Sequence, residues 1–239
     1  MRQYFVTKVN GNFILNDEDY YHLKVVLRTK DNDEVRCIYD GKTYLCRYKS
    51  TKDSYILEEI CELKEDKELK IDIALYQALI RNENFDLVIQ KATELGAHEI
   101  IPTVFKRNVV EIKKDKEESK LKRYNLIAKS ASEQSNRTYI PQVLSPVNVK
   151  DIKLEEGEIG LVAWEKEENT KSLSEIKTQV LNASKIKIVI GPEGGITMDE
   201  FEQLKTNGFT PISLGNRILR SETATISLLS ILNYMIDIE

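Results

Sequence analysis

Two segments carry residues whose types and spacing suit the binding of a small ligand. The first, IGPEGGITMDE, runs from Ile190 to Glu200 and continues the apolar run IKIVI. Gly194 and Gly195 accept backbone angles that other residues avoid, and they let a ligand approach the main chain. Pro192 fixes one dihedral. Main-chain N–H and C=O groups in such a loop can read both edges of an adenine without a charged side chain. No Lys-Ser or Lys-Thr follows the glycines, GxGxxG is absent, and Glu193 would repel a phosphate. An adenosine-bearing cofactor without phosphate fits better, and S-adenosylmethionine is one. A plain tight turn from strand to helix fits this segment too.

The second segment, LGNRILRSETA, spans Leu214 to Ala224 and follows the strand-like TPISL. It brings Gly215 and two arginines three apart, Arg217 and Arg220, ahead of Ser221, Glu222 and Thr223. A helix start leaves free N–H groups, which Ser221 or Thr223 can cap. Arginines there oppose the helix dipole, a conflict that functional sites tolerate. A guanidinium can grip a carboxylate or phosphate with two hydrogen bonds. Its alternative role is a salt bridge to Glu222 or Glu193. A third segment, EQSNRTYIP from Glu133 to Pro141, clusters Gln134, Ser135, Asn136 and Arg137 where a basic helix must stop. Such a cluster can face nucleic acid or simply end a helix.

These loops need a scaffold, and the sequence after residue 70 supplies one. IDIALYQAL reads as a strand, and ENFDLVIQKATELG as a helix with Phe85, Val88, Ile89, Ala92 and Leu95 on one stripe and Gly96 as its cap. HEIIPTVF, IGLVAW, KIVI and TPISLG read as further strands. LKRYNLIAKSASEQS, SLSEIKTQVL, TMDEFEQLKTNG and SETATISLLSILNYMI read as helices. Ser172–Glu175 and Thr197–Glu200 have capping-box spacing. Strand–helix alternation predicts a mainly parallel sheet covered by helices. The last helix is apolar nearly all round, so it needs cover on more than one side.

The first seventy residues follow a different grammar. Short β-branched and aromatic runs alternate with turn pairs such as Asn10-Gly11 and Asp40-Gly41. They predict a small, curled, mostly antiparallel barrel, interrupted by a helical tract at Asn16–Arg28. KEDKELK, Lys64 to Lys70, is the natural boundary.

Charge is distributed unevenly along the chain. The net is -4 over 239 residues, yet Lys106 to Arg137 holds ten Lys/Arg against five Asp/Glu. Such a patch can steer a polyanion. The three cysteines, Cys37, Cys46 and Cys61, form no CxxC pair, and there are only two histidines, His22 and His98. No metal site and no disulfide framework are expected. MRQYFVTK lacks a signal-peptide core, and no apolar run reaches membrane-spanning length. A soluble protein of a reducing cytoplasm, with no membrane partner, is the expectation.

Taken together, IGPEGGITMDE, LGNRILRSETA, IQKATELGAHEIIP and AKSASEQSNRTYIPQV resemble the signature blocks of the 16S ribosomal RNA uridine-N3 methyltransferases of the RsmE type, in the SPOUT class. MRQYF, HLKVVLRTKDND and IYDG resemble that family's PUA-like RNA-binding domain. The resemblance covers nearly the whole chain. It implies an α/β fold with a SPOUT-type parallel sheet and a C-terminal trefoil knot over residues 71–239. A small N-terminal PUA-like β-barrel domain would occupy residues 1–70. It implies S-adenosylmethionine as cofactor, held by Gly191, Glu193, Gly194 and Gly195 in one knot loop and by Leu214, Gly215, Ile218 and Leu219 in the other. It also implies 16S ribosomal RNA in the small subunit as partner, and a homodimer formed through the knot region and the C-terminal helix. The family's common Gly-Asp pair after VLR is Asn32-Asp33 here, and asparagine tolerates the left-handed geometry of such a turn.

Uridine N3 carries a proton and is a poor nucleophile while neutral, so a base or an anion-stabilising cation is required. Arg220 is the expected stabilising cation. Glu222 is the nearest carboxylate for proton transfer, or else it orients Arg217 or Arg220. Gln134, Arg137 and Arg217 are expected on the RNA side. Arg2, Arg28 and Arg47 are expected to grip phosphates from the first domain. A non-catalytic RNA-binding assembly factor on the same fold is the alternative. An NAD- or nucleotide-binding enzyme ranks last, because it lacks its fingerprint.

Overall fold

The structure, a computed structural model, describes residues 2–52, 54–65, 67–164 and 170–237. The chain divides into two compact units. One is Met1–Glu68 with Ser132–Tyr139, and the other is Leu69–Ala131 with Ile140–Glu239.

In the first unit, β1 (Gln3–Phe5), β2 (Thr7–Val9) and β3 (Asn12–Ile14) precede α1 (Asp17–Tyr21). Asn16 caps α1 by accepting from the Asp19 N–H at 2.8 Å. A π-helical turn follows at His22–Val26, then β4 (Glu34–Tyr39), β5 (Lys42–Ser50) and β6 (Tyr55–Leu63). The main sheet runs β1-β4-β5-β6, while β2 and β3 form a separate hairpin. Only β1–β4 pairs in parallel here; β4–β5, β5–β6 and β2–β3 are antiparallel. Packing joins the hairpin to the main sheet. Phe13 of the hairpin and Leu23 of the π-helical turn share one core with Tyr4, Val35, Cys46 and Leu57 of the sheet.

Ser132–Tyr139 is organised by Glu68. That carboxylate accepts from the Thr138 N–H at 2.8 Å and the Tyr139 N–H at 3.1 Å. It also accepts from the Arg137 guanidinium, at 3.0 Å from Nε and 2.6 Å from Nη2. The Gln3 amide donates to the Arg137 carbonyl. Arg137 is 3% exposed. Its charge is therefore committed to Glu68, which corrects the expectation that Arg137 faces RNA. Gln134, by contrast, is exposed.

The second unit begins with β7 (Asp72–Ala78), α2 (Asn82–Glu94) and β8 (Glu99–Val104). Next come α3 (Lys114–Ser135), whose last residues belong to the first unit, and the short β9 (Gln142–Val143) and β10 (Val147–Asn148). The chain continues through β11 (Glu158–Ala163), α4 (Lys177–Leu181), β12 (Lys185–Ile190), α5 (Met198–Thr206), β13 (Phe209–Ile212) and α6 (Ser221–Asp237). The sheet order is β10-β8-β7-β12-β11-β13, with β9 beside β8. Every pairing is parallel. Both faces are covered, as an all-parallel sheet requires. The Phe85–Val88–Ile89–Ala92 stripe of α2 and Leu228, Leu229 and Leu232 of α6 fill one core. Phe201 of α5 stacks on Trp164 at 4.2 Å in the other.

The two capping boxes fare differently. Thr197 and Glu200 form theirs at the start of α5. Ser172 and Glu175 do bond, with the Ser172 N–H donating to Glu175 at 2.7 Å, but they close a turn and α4 starts only at Lys177. Glu200 does more than cap α5. It also accepts from the Lys106 N–H at 2.7 Å, while the Lys106 ammonium pairs with Asp199. The segment after β8 is thereby pinned to the start of α5.

Two outcomes follow from these ion pairs. Glu68→Ala removes the carboxylate that bonds the buried Arg137 guanidinium and the Thr138 and Tyr139 N–H groups, and should cost about 3–5 kcal/mol, read from urea denaturation. A loss under about 1 kcal/mol would show that Arg137 finds water or another acceptor. At the α5 start, the hydrogen bond from Lys106, then that from Thr197, holds Asp199 well below the usual carboxylate range. A depressed carboxylate contributes stability above its unfolded pKa of roughly 4 and loses it as pH falls toward the folded value. The melting temperature of Asp199→Asn should lie below wild type at pH 6, and the gap should begin to narrow only as pH falls below about 4.

Candidate functional site

Ligands of open parallel sheets collect beyond the carboxyl ends of the strands. The ends of β11, β12 and β13 meet such a site. β12 stops at Ile190 and the chain folds back over Ile196. A Cβ on Gly191 would lie 2.6 Å from Ile196 Cγ1, so this closure needs glycine. The Gly195 N–H donates to the Pro192 carbonyl at 2.8 Å and closes the turn. From outside, Arg107 donates to the Gly194 carbonyl at 3.1 Å.

The second wall follows β13. From Ser213 the chain crosses to Ser221, the first residue of α6, and the Ser221 hydroxyl donates to the Gly191 carbonyl at 2.7 Å. The two loops are therefore joined by a direct hydrogen bond. Between them lies a pocket of about 530 Å³, within the range of small-molecule sites. Gly191, Glu193, Gly194 and Gly195 line one side. Leu214, Gly215, Ile218 and Leu219 line the other, with Arg217 and Arg220. Trp164 and Ile190 add apolar surface.

All eight residues expected to hold a cofactor thus lie on one pocket, together with two of the expected RNA-side and catalytic arginines. Arg217 and Arg220 are exposed, and among the described residues neither forms an ion pair. Glu193 is exposed on the opposite wall. Glu222 is placed otherwise. It is buried outside the pocket lining, and one carboxylate oxygen accepts from the Asn84 amide at 3.3 Å. This placement corrects the expectation that Glu222 meets the substrate or orients an arginine. In the first unit, Arg2 and Arg28 are exposed, and Arg47 is half-buried beside Glu58 at 3.8 Å. Arg28 holds a left-handed backbone, φ 52°, directly after the π-helical turn and Leu27.

The pocket has main-chain polar groups, apolar walls and a cationic edge. That set suits a flat, polar-edged heterocycle inside and an anion at the rim. Two residues absent from the sequence reading contribute. Arg107 clasps Gly194, and Gln77 of β7 donates to Ser221 at 2.8 Å. Arg107 lies in the basic stretch visible in the sequence, but nothing there pointed to the glycine loop. A glutamine inside an apolar strand was the available signal for Gln77.

Known proteins match this architecture. The family model for an RNA methyltransferase domain matches residues 67–233, and that for an RNA methyltransferase PUA domain matches residues 15–60. The chain is 36% identical over 234 residues to ribosomal RNA small subunit methyltransferase E of Mesomycoplasma hyopneumoniae, covering 96% of this chain and 98% of the relative. It is 32% identical over 251 residues to the Bacillus subtilis protein of the same name, covering 100% and 98%. The crystal structure of ribosomal RNA small subunit methyltransferase E from Neisseria gonorrhoeae, bound to S-adenosyl methionine, superposes with a TM-score of 0.87 at 27% identity over 98% of both chains. By fold, site and full-length similarity, the chain belongs to the ribosomal RNA small subunit methyltransferase E family.

Proposed function

We propose that this chain is an S-adenosylmethionine-dependent enzyme that methylates N3 of a specific uridine in 16S ribosomal RNA, in the assembled small subunit. The observation that carries this reading is the pocket between the two joined loops, in a chain that aligns end to end with a relative solved with S-adenosyl methionine. The donor set fits that cofactor. Glycine main chain and apolar side chains can enclose an adenosine, and no buried lysine or arginine among the lining residues asks for a phosphate.

When bound, the cofactor supplies an electrophilic methyl group. The chain must align the uracil and make N3 nucleophilic. Loss of the N3 proton to solvent water would spread negative charge over the ring and its two carbonyl oxygens. Arg220, exposed on the pocket lining, is the cation assigned to that charge. Arg217 is assigned to the RNA backbone at the same rim. Glu222 is assigned to support the start of α6 through Asn84.

The first unit is assigned to RNA docking through Arg2, Arg28 and Gln134, with Arg47 at half exposure. Its PUA-like match supports that role. The proposed domain limits are 1–70 and 71–239; the compact units divide close by, between Glu68 and Leu69, with Ser132–Tyr139 in the first unit. The trefoil knot implied by the resemblance is a proposal consistent with the start of α6 being bonded to the Gly191 loop. A homodimer through this region is supported by Ile218 at 84% and Tyr234 at 54% exposure, large apolar surfaces that a second subunit would cover. Among the described residues no helix is long and apolar enough to cross a membrane, and the proposed ribosomal substrate supports a cytoplasmic site of action.

Titration calorimetry should show S-adenosylmethionine binding to the purified chain. In a strain lacking the gene, 16S ribosomal RNA should lose one N3-methyluridine and regain it when this protein is restored. Unchanged RNA would sink the assignment, and cofactor binding without methylation would favour the assembly-factor reading. Arg220→Ala should lower kcat by about 100-fold with the cofactor Kd within a few-fold of wild type. Glu222→Gln should keep the wild-type pH–rate profile; a lost limb would return Glu222 to the role of base.

A further inference from the structure

Gln77 is a polar residue in the apolar central strand β7, and it is fully buried. Burying an amide is unfavourable unless its polar atoms find partners. Here they all do. The Gln77 Nε2 donates to the Ser221 hydroxyl at 2.8 Å and to the Ala78 carbonyl at 3.2 Å. The Gln77 Oε1 accepts from the Thr225 hydroxyl.

The direction of this chain of bonds is fixed by chemistry. The Gly191 carbonyl can only accept, so the Ser221 hydroxyl must donate to it. Ser221 has one hydrogen, so its oxygen must accept from Gln77. That requirement orients the amide, Nε2 toward Ser221 and Oε1 toward Thr225. The peptide that follows Gly191 is bonded to Pro192 and has no N–H. Its carbonyl is the polar handle by which its plane can be held.

We propose that Gln77 is a positioning residue for the cofactor pocket: through Ser221 it fixes the Gly191–Pro192 peptide and so sets the gap between the two pocket walls. Gly191 and Ser221 line the pocket, whereas Gln77 does not. An effect of Gln77 on cofactor affinity must therefore travel through Ser221. An apolar side chain would fill the same strand position, so packing alone does not account for the amide. The inference rests on the reading of this pocket as the S-adenosylmethionine site.

A double-mutant cycle read by calorimetry tests it. Wild type, Gln77→Met, Ser221→Ala and the double variant are titrated with S-adenosylmethionine at a temperature where each is folded. Each single variant is expected to bind about tenfold more weakly, and the double variant also about tenfold rather than a hundredfold, because both changes cut one path. Thr103→Ala removes another buried hydroxyl, bonded to the Ile101 carbonyl at 3.0 Å, and should lower the melting temperature while leaving affinity unchanged. Should Gln77→Met not fold, Thr225→Val keeps the volume, frees the Gln77 amide and is expected to weaken binding about threefold. An affinity within experimental error of wild type for Gln77→Met or its Thr225→Val substitute overturns the relay, as does a multiplicative double variant. Absence of binding by wild type overturns the cofactor reading itself, and the relay with it.

Discussion

A binding wall made of main-chain atoms takes its shape from whatever holds those atoms, since it has few side chains of its own to adjust. The Gly191–Ile196 loop is such a wall. Its closure depends on the missing Cβ of Gly191 above Ile196. Its carbonyls are held at both ends, Gly191 by Ser221 and Gly194 by Arg107. Behind it, Glu200 serves two masters, the cap of α5 and the Lys106 N–H. Parallel pairing makes this economical. The ends of β11, β12 and β13 all point the same way, so one sheet edge presents three loops to one ligand.

The charge pattern divides in a way that net charge hides. Arg137 and Arg220 look alike in the sequence, each in a polar cluster beside a helix end. One is buried on Glu68 and the other is exposed on a pocket rim. Desolvation separates them. A guanidinium taken out of water needs a carboxylate and further acceptors, and Glu68 is in turn bonded to the N–H groups of Thr138 and Tyr139. An exposed guanidinium has no such requirement and keeps its donors for an incoming anion. The same argument sorts Gln134, exposed one turn before Arg137, from its buried neighbour Glu133.

Elements whose physics is local were readable in the sequence. The stripe of α2, the Thr197–Glu200 box and the strand–helix alternation all express periods or caps of a few residues. The two glycine loops were also readable, because strand, glycine and helix start follow one another directly. What escaped depended on distance along the chain. Gln77 meets Ser221 across 144 residues and Arg107 meets Gly194 across 87. No periodicity encodes such contacts. Glu222 and Arg137 depart from expectation for a related reason: residue type announces chemistry, but burial decides whether that chemistry is available. Ser172–Glu175 shows the limit of local rules as well, since the box bond forms without a helix beginning there.

The arginines at the start of α6 are best understood together with the helix they precede. The N-terminal end of a 17-residue helix carries partial positive charge, and Arg217 and Arg220 add to it. Such a rim is electrostatically unfavourable when empty, and Glu193 on the facing wall offsets only part of it. A sulfonium cofactor would make the site more positive still. An anion relieves all of these terms at once, whether an RNA phosphate at the rim or the uracil ring as its N3 proton departs. The charge that develops during methyl transfer would thus meet a field already set against it, so the groups that destabilise the empty pocket are those that favour the reacting state.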